Sequence, residues 1–355
     1  MKATIRKIAD LCGVSTMTVS RVFNPENADM VKESTRKKIL AAAKQYGYHP
    51  VIIGKSFSSG KTYKVGLILD AMTADLSSPT FSRFMEAVCA ELQSRNYSLV
   101  LLQAKDVRKH EGANVRELLE SKVADGYILG KTIVFESFQD TLRKTPVVVL
   151  SSREDELPES SEHVQISRPV ASGFRAMWQL IPKKLRRSVA VVAQDEKYFY
   201  PRKSRASLLT SAAPEDAELK IFYCTRRPGF FTDRANAAAV AEDHFEELRK
   251  FKVIWGINDF HALGVADVFY RHGLIPGNDY YLMGFDNLEP AVCGGEPILT
   301  TCDQRWDEIG RLAADTVLQL IAGKTVPGNS LTVEPEIIQR TSFRNKTIMQ
   351  EGEMK

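Results

Sequence analysis

The first two dozen residues constrain this chain more than any others: Thr4-Ile-Arg-Lys-Ile-Ala-Asp-Leu-Cys-Gly-Val-Ser-Thr-Met-Thr-Val-Ser-Arg-Val-Phe-Asn24. Two short amphipathic helices joined by one tight turn are legible in them. Thr4 is placed to cap the first helix, and Ile5, Ile8, Ala9 and Leu11 recur at helical spacing to make an apolar face. Gly13 offers the residue that enters positive φ at no steric cost, which a sharp turn demands. Ser15 is placed to cap the second helix. That helix turns Val19, Val22 and Phe23 inwards and leaves Thr16, Met17, Thr18, Ser20 and Arg21 outside. This is the helix-turn-helix pattern, whose second helix suits the major groove of DNA. An ordinary pair of antiparallel helices would share the apolar spacing. The outer face argues against it, being short, polar and hydrogen-bonding where a solvated helix carries Glu and Lys.

Charge points the same way. Residues 1–62 carry a net +7, whereas the rest of the chain carries −3. A basic head on a mildly acidic body is the footprint expected of a nucleic-acid-binding domain joined to something that is not one. The 355 residues suffice for two or three domains with sizeable cores, and 44% hydrophobic with 26% charged residues is ordinary for a soluble protein. No apolar run reaches the length of a membrane span and the N-terminus lacks the apolar core of a signal peptide, so the cytoplasm is the expected compartment. Cys12, Cys89, Cys224, Cys293 and Cys302 form no C-x-x-C pair. Their scatter reads as buried thiols, with neither a zinc site nor a disulfide framework.

A third helix is expected at about 32–46, where Ile39, Leu40, Ala43 and Tyr46 can close a three-helix core before Gly47 and His49-Pro50 end it. Residues 49–62 follow as a short basic, serine-rich linker able to form a helix. Its Gly60-Lys61-Thr62 ending is not a P-loop, because five residues separate Gly54 from Gly60 and the segment precedes a strand instead of following one. From Val65 short apolar strands alternate with helices, at about 65–69, 99–103, 126–129, 147–150, 189–193, 220–223, 253–256 and 280–284. The polar stretch 151–167 holds no clear helix. The pattern means parallel sheets covered on both faces, and it has too many strands for one sheet. The expected fold is an all-α helix-turn-helix headpiece, 1–48, and a hinge, 49–62, leading to an α/β effector domain, 63–345, of two doubly wound parallel-sheet lobes. The first lobe is expected at about 63–160 plus 290–325, the second at about 161–289 plus 326–345, with a tail at 346–355. Ligands in such folds sit beyond the carboxyl ends of strands, here between the lobes.

Specific motifs then accumulate: Thr4-Ile-x-x-Ile-Ala, Gly-Val-Ser-Thr-x-Thr-Val-Ser-Arg-Val at 13–22, Gly-Tyr-x-Pro at 47–50, Asn258-Asp259-x-x-Ala-Leu-Gly264, Gly284-Phe-Asp286 and Leu299-Thr-Thr-x-x-Gln304. With these the chain resembles the LacI/GalR family of transcriptional regulators from about Lys2 to Phe343. The resemblance implies a sequence-specific DNA-binding repressor of carbohydrate-utilisation genes, released by a sugar-type effector. It implies a periplasmic-binding-protein-like body and a homodimer or tetramer on a pseudo-palindromic operator. Thr16 and Met17 match base-reading positions and Arg21 a third reader. Arg suits the O6 and N7 acceptors of guanine, and Met17 offers an apolar contact such as a thymine methyl. Thr4, Ser15 and Ser20 suit phosphate contacts, which set register. Asn24 and Lys55 complete the DNA-facing set, with Phe57 standing where the family has a minor-groove leucine. Gly54 where the family has alanine weakens the hinge helix by roughly 1 kcal/mol.

In the body, Arg202, Asn258 and Asp286 match positions that bind ligand hydroxyls, and Phe81, Phe231 and Trp306 match rings that face the ligand. Asp259 is expected to be a helix N-cap, and Phe81 and Phe231 suit the core equally well. Two departures stand out: Ser167-Arg-Pro169 lies near the place of an expected Asp-Asn pair, and Arg205-Ala206 replaces a Gly-aromatic pair. The ligand therefore cannot be copied from the family. A corepressor-dependent purine-type regulator and a free solute-binding protein are the alternatives. No G-x-G-x-x-G, G-x-S-x-G, H-E-x-x-H or Walker A motif points to an enzyme, and no cofactor or metal is implied.

Overall fold

The computed structural model describes residues 3–23, 28–48, 60–70, 78–104, 113–130, 139–151, 163–195, 204–224, 232–288, 292–293, 296–326, 328 and 330–344. The chain divides into two compact units, Met1–Lys64 with Lys122–Asp125 and Val65–Ser121 with Gly126–Lys355.

In the first unit, α1 (Ile5–Cys12), α2 (Thr16–Val22) and α3 (Glu33–Gln45) close on one another. Thr4 caps α1 by accepting from the Lys7 N–H at 3.3 Å, and Gly13 ends it at φ 68°, its N–H reaching the Ala9 and Asp10 carbonyls. That left-handed geometry is why the turn takes glycine. The core is Ile8, Ala9, Cys12, Val19, Val22, Ile39, Ala43 and Tyr48. Ile8, Val19 and Ile39 are fully buried, each worth roughly 1.5–3 kcal/mol relative to exposure. Three expected core positions are corrected here. Leu11 is 45% exposed while Cys12, which completes the 5-8-9-12 stripe, is buried. Leu40 and Tyr46 are exposed, and Tyr48 closes the core after the chain turns back at Gly47. Lys38 and Cys12 tie α3 to the end of α1, the Lys38 ammonium donating to the Cys12 carbonyl at 3.1 Å.

The second unit holds two parallel sheets. Strands β1 (Lys64–Asp70), β2 (Ser98–Ala104), β3 (Gly126–Gly130), β4 (Val147–Ser151) and β5 (Val164–Ser167) enter the first. Helices α4 (Pro79–Ser94), α5 (Ala113–Glu120) and α6 (Gln139–Arg143) alternate with them. The second sheet takes β6 (Val189–Gln194), β7 (Leu219–Cys224), β8 (Val253–Gly256) and β9 (Tyr281–Met283). With it run α7 (Val170–Leu180), α8 (Arg205–Ser211), α9 (Asp233–Asp243), α10 (Phe245–Leu248) and α11 (Asp259–Arg271). The chain then passes through the short strands β10 (Val292–Cys293), β11 (Glu296–Pro297) and β12 (Thr301–Asp303), helix α12 (Trp306–Ile321), and strands β13 (Ser330–Thr332) and β14 (Glu336–Ile338). The strand orders are β13-β5-β4-β3-β1-β2 and β7-β6-β8-β9. Both are doubly wound, with order reversing between β1 and β3 in one and between β6 and β8 in the other.

Burial follows the strand period of two. In β6, Val189, Val191 and Ala193 enter one core with Phe174, Trp178 and Trp255, and Ala190 and Val192 enter another with Val240, Ala262 and Phe269. The first sheet packs α4 and α12 through Phe84, Val88, Ile309 and Val317. The sequence-based lobe boundaries shift. β5 adds to the first sheet instead of opening the second lobe, and β13 returns to that sheet beside β5. Residues 164–167 look polar, but Gln165 and Ser167 are buried and bonded to each other at 2.8 Å, so the alternation hides a core strand. The helix expected over 235–249 is two, breaking at His244.

Candidate functional site

The candidate DNA-facing surface rests on α2. Ser15 caps it, accepting from the Thr18 N–H at 3.1 Å. Because Val19 and Val22 are anchored in the core, Thr16, Met17, Ser20 and Arg21 are all exposed on the opposite side. Met17 is 63% exposed, too much for a core residue, and the Arg21 Nη2 lies 3.7 Å from its sulfur one turn on. The surface is a short polar face carried on a three-helix base. Asn24, Lys55 and Phe57 lie outside the described residues.

In the second unit the residues of interest gather beyond the carboxyl ends of β8 and β9. Asn258 follows β8, at the strand-order reversal of its sheet. It, and not Asp259, caps α11: its Oδ1 accepts from the His261 N–H at 2.9 Å, and its Nδ2 donates to Asp233 at 3.1 Å. The expectation for Asp259 is thus corrected by one position. Its carboxylate accepts instead from the Leu288 N–H at 2.6 Å and the Thr301 hydroxyl at 2.5 Å. A Cβ at Gly284 would stand 2.1 Å from Asp259 Oδ1, so only glycine lets that carboxylate in. Burial, opposed by these hydrogen bonds, pushes the Asp259 carboxyl up to about 7.

Asp286 sits just past β9 with φ 96°, followed by Asn287 at 50°. Such backbone costs on the order of 1–3 kcal/mol and persists where the surroundings over-determine it. They do: both carboxylate oxygens accept from the Arg205 guanidinium, one of them at 2.9 Å, and the Gln304 amide donates as well. Gln304 in turn accepts from Arg168 at 2.6 Å, and the Arg168 guanidinium lies 4.5 Å from the Trp306 ring centre. Burial opposes the charge on Arg205, but Asp286 outweighs it and raises the arginine's hold on its proton. Arg83 braces the neighbouring return segment through Asp303 at 3.1 Å and Asp307 at 3.3 Å.

Asn258, Asp286 and Trp306 thus belong to one polar tract of the second unit. Phe81 is half-buried on the first sheet's core beside Phe84, which gives it a packing role. Arg202 and Phe231 lie outside the described residues. Sequence reasoning missed Arg168, Arg205 and His261 as members of this tract. For the first two the signal was present, since both fall at departures from the family pattern.

A profile of the bacterial regulatory proteins of the lacI family matches residues 4–51, and one of periplasmic binding protein-like domains matches 179–343, together more than half of the chain. The chain belongs to the LacI family. It is a ligand-responsive DNA-binding transcriptional regulator built from a helix-turn-helix and a two-lobed binding body. The ribose operon repressor of Escherichia coli (strain K12) is 28% identical over 340 residues, covering 96% of this chain and 99% of its own. The PurR repressor of Aliivibrio fischeri (strain MJ11) is 25% identical over 353 residues, covering 97% and 99%. The crystal structure of the lac repressor dimer bound to operator and the anti-inducer ONPF superposes with a TM-score of 0.70 at 19% identity, over 97% of this chain and 99% of that one. That last likeness concerns the fold of this LacI-family chain. Among the described residues no helix is long and apolar enough to cross a membrane.

Proposed function

We propose that this LacI-family chain represses carbohydrate-utilisation genes as a homodimer on a pseudo-palindromic operator, and that a sugar or sugar derivative bound in its two-lobed body releases it. The observation that carries the reading is the polar tract of Asn258, Asp286, Arg205 and Gln304 at the strand ends of a body that is alike over its whole length to a ribose operon repressor. Guanidinium, carboxylate and amide groups together both donate and accept, which is what hydroxyls require. Thr16, Met17 and Arg21 read bases, Thr4, Ser15 and Ser20 hold phosphates, and Asn24, Lys55 and Phe57 extend the contact. Asn258, Asp286 and Trp306 bind the effector with Arg202 and Phe231, while Phe81 lines its edge.

Operator selection from random duplexes with the full chain, followed by fluorescence anisotropy with neutral sugars added, tests this. A palindromic half-site, affinity that falls steeply with salt, and release by a sugar are expected. Unchanged operator affinity in the variant Thr16→Ala/Met17→Ala/Arg21→Ala would refute the DNA-reading assignment. The similarity to PurR favours a second reading, in which the ligand tightens operator binding. The sign of the anisotropy change separates the two.

A further inference from the structure

His261 is a buried polar residue of the body with one ring nitrogen unaccounted for. It is 1% exposed on the first turn of α11. Its Nδ1 lies 2.7 Å from Asn258 Oδ1, while its Nε2 is buried with no hydrogen-bond partner among the described residues. The protonation of the ring follows from its neighbour. Asn258 Nδ2 faces the Asp233 carboxylate, so the amide orientation is fixed and Oδ1 must be the atom turned to the ring. An amide oxygen only accepts, so His261 Nδ1 carries the hydrogen. Burial holds the ring's proton affinity down, to about 4, with Arg205 acting in the same sense and Asp233 against it. The imidazole is therefore neutral at physiological pH, and Nε2 is a bare lone pair.

A buried acceptor without a donor is costly, and native structures keep one where something else is meant to supply the donor. Arg205 in the same tract uses two N–H groups on Asp286, and its other three make no bond among the described residues. The tract thus holds an orphaned acceptor and unspent donors. A hydroxyl can meet either, donating to an imidazole or accepting from a guanidinium. A carboxylate or phosphate could only accept and would leave Nε2 unmet.

We propose that His261 is an effector-binding residue of this protein, its Nε2 accepting a hydrogen bond from a hydroxyl of a neutral polyol held in this tract. The inference rests on the reading of this tract as the effector site, and it names a ligand contact that the family motif Asn258-Asp259-x-x-Ala262 leaves open.

Calorimetric titration of the full chain with D-ribose, D-xylose, L-arabinose, D-glucose and D-galactose first identifies a sugar that binds. That sugar is then titrated into His261→Met and His261→Gln. The methionine variant keeps the volume and loses the acceptor, so its affinity should fall on the order of 10- to 100-fold. The glutamine variant keeps an acceptor oxygen and should stay within about fivefold. Without ligand, His261→Met should melt at or above the wild-type temperature, because it removes an unmet buried group. Equal affinity in His261→Met, or a ligand-free melting temperature well below wild type, overturns this inference alone. A wild-type chain that binds its operator but none of the sugars overturns the sugar reading of the tract, and this inference with it.

Discussion

Replacing Arg205 by methionine removes the cation that neutralises Asp286, and the structure sets the size of the effect. The Asp286 side chain is 5% exposed and that of Arg205 32%. Taking away Arg205 strands the more buried charge, with only the Gln304 amide left to solvate it, which places the loss in the range of about 3–5 kcal/mol for breaking a buried pair. Asp286→Ala strands a guanidinium that water reaches over a third of its surface, so its loss should be smaller, about 1–2 kcal/mol. The double variant Arg205→Met/Asp286→Leu strands no charge and leaves only the Gln304 amide unmet, so it should lie within about 1–3 kcal/mol of wild type, short of the two losses added. Urea unfolding followed by tryptophan fluorescence measures all three, since Trp178, Trp255 and Trp306 all lie in the second unit. An Asp286→Ala loss equal to or above that of Arg205→Met would refute the ordering by burial. A double variant as damaged as the sum of its singles would show that the two residues do not act as a pair.

Further outcomes follow from other sites. Met17→Gln should move operator preference towards adenine at one position per half-site, because the amide bonds N6 and N7 together; selection returning an unchanged sequence would refute the placement of Met17. The His261 proton affinity lies below its unfolded value, so its stability cost is absent above about pH 6.5 and grows as pH falls towards about 4. His261→Met should therefore gain on wild type by up to about 3 kcal/mol across that window, read as the difference between two urea series, with Asp233 and Arg205 intact in both. Gly13→Ala must hold φ 68° with a Cβ and should cost the headpiece about 1 kcal/mol, seen as a lower melting temperature by circular dichroism.

The sequence announces what depends on near neighbours. Thr4 and Ser15 cap the helices they precede, Gly13 turns the chain, and the alternation of short apolar strands with helices yields two doubly wound sheets. It misleads where two near-equivalent residues compete. Leu11 is more hydrophobic than Cys12, but one step of 100° decides which enters the core, and Asn258 and Asp259 are both good caps. It is silent where polar groups satisfy one another at a distance. Gln165 and Ser167 hide a buried strand, and Arg205 reaches an Asp286 that lies 81 positions away. Periodicity carries no signal for such a pair, so the rebuilt tract could be flagged at Arg168 and Arg205 but not assembled.

The parallel pairing of Leu331 with Ile166 has a consequence for biosynthesis. The first sheet's outer strand and its covering helix α12 emerge from the ribosome only after the second sheet has been made. At about 5–20 residues per second, strand β5 waits roughly 8–33 s for the neighbour about 165 positions downstream. During that interval one edge of β5 and the apolar face that α12 later covers are open to other nascent chains. The headpiece is nearly continuous in sequence and has its three helices from the outset. A premature stop just beyond Ile321 would therefore release chains whose helix-turn-helix has formed on a body still lacking strand β13. Such products would compete for operator sites while lacking a completed ligand-binding body.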